Sequence, residues 1–231
     1  MTNKRRYPIG HMDMLGEVFT PSKYVLMALE ENNHEFIRIP KLFYPKKTYY
    51  EVGCKIERSY KGYYLVPHKD VDIYYILFVL NSPFSNYFLT SDKKVSYYSV
   101  NLNLLSQYPM PIVDKTHQIA CAYLEKIIYE MHRVLEKQDN GDRYIDLRLK
   151  SFEELRLALT SEMFGHHIID GYDLNLLEDW KGLVDSYDGI DKEKPTINII
   201  LEISNKLLMT NNEIISDLKK FRLIAKDYFQ R

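Results

Sequence analysis

The 231-residue chain lacks any long apolar run. Its most apolar stretch, Ile73 to Leu80, includes Tyr74 and Tyr75 and is far short of the roughly 20 residues that a membrane-spanning helix needs. The first six residues are basic but lead into Tyr7-Pro8-Ile9-Gly10 rather than an apolar core, so no export signal is expected. Cysteine is scarce. Cys54 and Cys121 are too few for a disulfide scaffold or a four-cysteine zinc site, and the expected setting is reducing and cytoplasmic. The seven histidines are scattered. Their one close pair, His166-His167, would point its rings in different directions on any regular element, which is poor geometry for a shared metal. No Gly-x-Ser-x-Gly occurs and neither cysteine has a nucleophile signature around it, which argues against acyl transfer. Internal repeats are not evident. A net charge of −1 excludes the strongly basic composition of many nucleic-acid binders.

What is present is ordinary globular material, 45% hydrophobic and 27% charged, enough to build a core and too apolar for a disordered chain. The small net charge hides an asymmetry. Residues 1–98 carry 14 Lys and Arg against 10 Asp and Glu, a balance of +4, and residues 99–231 carry 17 against 22, a balance of −5. From Phe36 to Val100 the chain is rich in Tyr, Val, Ile and Phe and broken by Pro40, Pro45, Gly53, Gly62, Pro67 and Pro83, which reads as strands and turns. Strands are expected near Phe36–Ile39, Thr48–Val52, Lys55–Tyr60 and Tyr63–Val66, with Lys61-Gly62 as a hairpin turn. One helix interrupts them, from an N-cap at Asp70 to about Asn81.

Beyond Thr116 the apolar period becomes helical. Ile119, Ala122, Tyr123, Ile127, Ile128, Met131 and Leu135 form one stripe of a long amphipathic helix ending at the turn formers 138–142. A second helix is expected from Tyr144 to Phe164, packed antiparallel to the first. A loop containing Trp180 follows over Gly165–Gly189. A last helix is expected from Pro195 to Phe229, broken at Thr210-Asn211-Asn212. The expected fold is therefore α+β: a mixed, β-rich domain over residues 1–113, then a helical domain over 114–231 with a long spacer-like helix.

Between Tyr98 and Ile119 the segment Val100-Asn101-Leu102-Asn103-Leu104-Leu105, then Tyr108-Pro109-Met110-Pro111-Ile112, then Gln118 before the long helix, resembles the closing section of a target-recognition domain from type I restriction enzyme specificity subunits. There a leucine-containing element leads to a short strand with two prolines, and a glutamine opens a spacer helix. Upstream, Tyr64-Leu65-Val66-Pro67 and the run from Asp72 to Leu80-Asn81-Ser82 resemble that family's extended segment and its helix ending in Leu-Asn-Ser. The likeness covers roughly residues 55 to 136. His117 departs from the glutamate usual before the glutamine. Leu15-Gly16-Glu17-Val18-Phe19-Thr20-Pro21 is similar to the segment that opens the catalytic domain of adenine-amino DNA methyltransferases. The glycine-rich turn and base-gripping loop of those enzymes do not follow it, and Asn81-Ser82-Pro83-Phe84 reads as a helix end rather than that loop.

The resemblance implies sequence-specific recognition of double-stranded DNA, no catalysis or cofactor of its own, methyltransferase and nuclease subunits as partners, and a homodimer as a further option through the extra helices. The residues suited to hold DNA are Lys46, Lys47, Tyr49, Tyr50, Lys55, Arg58, Tyr60, Lys61 and Tyr63, with Lys93 and Lys94: the cations would neutralise phosphates, and tyrosine hydroxyls would reach phosphates or base edges. Tyrosines alternating along strands equally form half-buried core, and lysines at turns equally serve solubility. Two rivals remain. One is an enzyme, either a remnant methyltransferase or a Mg²⁺-dependent nuclease using Asp72 with Asp92-Lys93-Lys94. The other is a helical adaptor that binds only protein.

Overall fold

The computed structural model describes residues 7–19, 35–43, 50, 52–53, 60–82, 84–85, 98–137, 143–164, 174–187, 194–209 and 213–229. The fold is mixed α+β, with seven helices and three small sheets among the described residues. It divides into two compact units, one of Pro8–Val113 and one that joins Met1–Tyr7 to Asp114–Arg231.

In the first unit, β1 (Ile9–His11) pairs antiparallel with β8 (Pro109–Pro111), Ile9 opposite Pro111 and His11 opposite Pro109. A 3₁₀ turn, Met12–Met14, carries the chain from β1 into β2 (Gly16–Phe19). A four-stranded antiparallel sheet runs β2-β6-β3-β5, where β3 is Phe36–Pro40, β5 is Val52–Gly53 and β6 is Gly62–Pro67. Tyr63, Tyr64 and Leu65 are buried in succession on β6. Side chains alternate faces along a strand, so both faces of the sheet are covered there. Phe36 meets Tyr64 edge to face at 4.8 Å between centroids, and Tyr60 lies 5.5 Å from Tyr64. Gly62 opens β6 opposite Pro40 instead of forming a hairpin turn. Only glycine fits there, because a Cβ would run into the Tyr60 ring and the Ile39 carbonyl. A further pair joins β4 (Leu42–Phe43) to β7 (Tyr98–Ser99).

Helix α1 (Ile73–Leu80) is apolar all round, and every residue but Tyr74 is buried, the pattern of a helix enclosed by its domain. Its N-cap is Asp72 and not Asp70, because the Asp72 carboxylate accepts the Tyr74 amide at 2.8 Å. Helix α2 (Leu102–Ser106) is capped by Asn101, which accepts from the Leu104 amide at 2.8 Å.

The second unit is helical: α3 (Lys115–Glu136), α4 (Arg143–Phe164), α5 (Leu176–Asp185), α6 (Ile197–Leu207) and α7 (Glu213–Phe229). Asp114 caps α3, accepting from the Thr116 and His117 amides at 3.0 and 3.1 Å. Contacts between Glu125 and Arg156 and between His132 and Glu153 run in opposite sequence directions, so α3 and α4 are antiparallel. Helix α5 replaces the loop expected around Trp180. Its apolar face, Leu176, Leu177, Trp180 and Val184, is buried, and the Trp180 indole donates to the Ala120 carbonyl at 2.8 Å. Its N-terminus is capped from a distance: Glu162 on α4 accepts the Leu177 amide at 3.0 Å and Asp217 on α7 accepts the Asn175 amide at 3.1 Å. No helix among the described residues is long and apolar enough to cross a membrane.

Candidate nucleic-acid interface

The segments that carry the resemblance are structural clamps in the first unit. Asn81, at the end of α1, accepts the Tyr50 amide at 2.8 Å and donates to the Tyr50 carbonyl at 3.1 Å, holding the residue that leads into β5. Ser82 ends the helix by donating to the Val79 carbonyl at 2.7 Å. The Tyr75 hydroxyl donates to the Pro111 carbonyl at 2.5 Å, tying α1 to β8. Ser85 meets the buried Tyr108 hydroxyl at 2.5 Å. Burial raises the pKa of that phenol, so it stays protonated. The Asn81 carboxamide is thus engaged with backbone, as its reading as a helix end requires.

The sheet orders its described charges along the strands. Pro40 at the end of β3 faces Gly62 at the start of β6, which places Lys41 and Lys61 side by side beyond the last ladder pair; both are exposed. The Lys41 carbonyl accepts the Val100 amide at 2.8 Å, and its ammonium lies 5.8 Å from the centre of the Tyr63 ring. Half-buried Arg38 lies on β3, three residues before Lys41. At the other end, Glu17 pairs with Val66 and exposed Asp13 and Asp70 accompany Lys69. Among the described residues the Pro40–Gly62 end is therefore the cationic one, with half-buried Tyr60 next to Lys61 in sequence.

Among the residues expected to hold DNA, Lys61 is exposed and Tyr60 is half-buried. Tyr63 is 8% exposed, and Tyr50 is 1% exposed with burial raising its hydroxyl pKa. Tyr50 is thus corrected from surface contact to core: its backbone is clamped by Asn81 and its ring is enclosed. Lys46, Lys47, Tyr49, Lys55, Arg58, Lys93 and Lys94 lie outside the described residues. In sequence, Lys46 and Lys47 follow Phe43 and Arg58 precedes Tyr60. Lys41 was missed by sequence reasoning. Asp72 is the α1 cap, which gives its carboxylate a structural role, and Asp92 lies outside the described residues. Among the described residues no cluster of three or more His, Cys, Asp or Glu side chains could hold a metal. Cys121 is buried in α3, where burial and then Glu162 push its thiol pKa well up, the opposite of an activated nucleophile.

No protein-family model, curated protein or solved structure matches the chain.

Proposed function

We propose that the chain recognises double-stranded DNA in a sequence-specific way, as the specificity module of a cytoplasmic restriction-modification assembly whose methyltransferase and nuclease subunits carry out the chemistry. The observation that carries this reading is the cationic end of the β3–β6 ladder, where exposed Lys41 and Lys61 flank its last pair, Pro40 and Gly62. Exposed cations beside a rigid ladder suit phosphate positioning, and the expected contacts Lys46, Lys47, Lys55 and Arg58 lie in the same β-rich stretch of sequence. The ordered run of family-like segments from Tyr64 to Gln118 supports the same reading, since its polar residues clamp α1, β8 and the approach to β5 into one scaffold. Antiparallel α3 and α4, each 22 residues long, would supply a spacer pair within one chain.

The test is a fluorescence-anisotropy titration of the purified protein with a pool of random duplex DNA at two salt concentrations, with EDTA present. Phosphate contacts predict affinity that falls steeply with salt, by about 0.9 in log–log slope for each contact. An absence of binding at the lower salt would overturn the reading of the free chain as a DNA-recognition module.

A further inference from the structure

The second unit holds a groove of about 630 Å3 between α5 on one side and the end of α6 with the first turn of α7 on the other. Its floor is apolar, made by Leu183, Ile214 and Met209, and Met209 is 62% exposed. Its rim is acidic, made by Glu178, Asp179 and Glu213. Lys206 also lines it, but its ammonium sits 3.8 Å from the centre of the Tyr187 ring. Lys181 and Lys220 pair with Asp185 and Asp217, at 2.6 and 2.5 Å. Glu178 faces the His117 ring at 3.4 Å. The rim carboxylates crowd one another: burial and then the charges of Glu213 and Asp217 raise the Asp179 pKa.

Gly182 is an independent feature of the same groove. It lies inside α5, where glycine lowers helix stability relative to alanine, yet a Cβ there would meet nothing within 4 Å. Nothing within the described chain calls for a missing side chain at that point.

We propose that this groove is the docking site for an amphipathic helix of a partner protein, with leucine-like side chains covering Leu183 and Met209 and lysine or arginine along its polar flanks. Charge decides the occupant. Nucleic acid and anionic lipid would meet like charge at the rim, whereas a cationic helix relieves the crowding of Glu178, Asp179 and Glu213. Gly182 lets the docked helix come close. The proposal goes beyond the DNA reading and uses none of its residues.

The experiment uses the full chain and a labelled 16-residue peptide designed as an amphipathic helix, leucine on one face and lysine on its flanks, read by anisotropy. Two controls accompany it, one of scrambled order and one with glutamate replacing lysine. The expected result is saturable binding at least tenfold tighter than either control. Gly182→Gln and the double variant Asp179→Asn/Glu213→Gln should each weaken it at least fivefold. Gly182→Gln should melt no lower than the parent, which separates blocked docking from misfolding, and should bind random duplex DNA unchanged. Absence of saturable binding, equal binding of the scrambled peptide, or indifference to the groove variants would each overturn the proposal and leave the DNA reading untouched.

Discussion

Arg156 on α4 donates through one guanidinium nitrogen to both carboxylate oxygens of Glu125 on α3, at 3.2 and 3.0 Å, and the two side chains are 7% and 1% exposed. Such a pair roughly offsets its own desolvation, but either member alone is a buried charge. Arg156→Leu is expected to destabilise the helical unit by about 3–5 kcal/mol, and Glu125→Leu/Arg156→Leu to recover most of that loss. Urea denaturation followed through Trp180 fluorescence reads both. A double variant as unstable as the single one would show that the pair adds more than its members cost when isolated.

Asn81 and Tyr50 give a second expectation. Asn81→Ala removes two hydrogen bonds and leaves a buried backbone amide and carbonyl to find other partners, at about 2–3 kcal/mol in all. Asn81→Asp keeps the acceptor for the Tyr50 amide but sets a carboxylate against the Tyr50 carbonyl, so it should be no better. Tyrosine near-ultraviolet dichroism during denaturation measures this without the tryptophan, which belongs to the other unit.

Much of the scaffold could be read from local pattern. Strand composition marked Phe36–Ile39 and Tyr63–Val66, and helical period marked α3 and α4. Elements whose cause lies far along the chain could not be read this way. Helix α5 has no local cap, since Asn175 makes no side-chain capping bond and the work falls to Glu162 and Asp217. Pairing of β1 with β8 joins residues about a hundred positions apart, which local composition does not encode. The candidate site divides in the same way. Composition flagged tyrosines and lysines together but could not tell the buried Tyr50 from the exposed Lys61. Lys41, a single lysine after a proline, becomes notable only when the register places it beside Lys61.

Stability should fall as pH rises. Burial pushes the Glu162 carboxyl up to about 8, against the pull of the Leu177 and Leu176 amides and with a further push from Asp217 and Asp179. Its ordinary value is 4.5, so between there and about 8 the folded chain keeps a proton that the unfolded chain releases. The stabilisation is complete below the lower value and is lost as pH rises through the upper one, on the order of a few kcal/mol. Glu162→Gln retains an acceptor for the Leu177 amide and cannot ionise. Thermal melts at pH 6, 7.5 and 9 should show the parent losing stability over a range where the variant does not; parallel curves would remove Glu162 as the cause.

Lys41→Gln and Lys61→Gln should each lower the log–log salt slope of DNA binding by about 0.9 and weaken affinity across all sequences alike. Both side chains are exposed, so stability should stay within about 0.5 kcal/mol of the parent. A slope unchanged in the double variant would move the phosphate contacts away from this end of the ladder.

The Pro8 carbonyl accepts the Ile112 amide at 2.7 Å, and β1 lies along β8, so the first unit begins and ends at one place. A block of about a hundred residues whose ends are already joined can be cut out and exchanged without stretching the chain on either side. Portability is the consequence: a different block with the same closing pair of strands could be spliced in at Pro8 and Val113 without moving the two joining points apart.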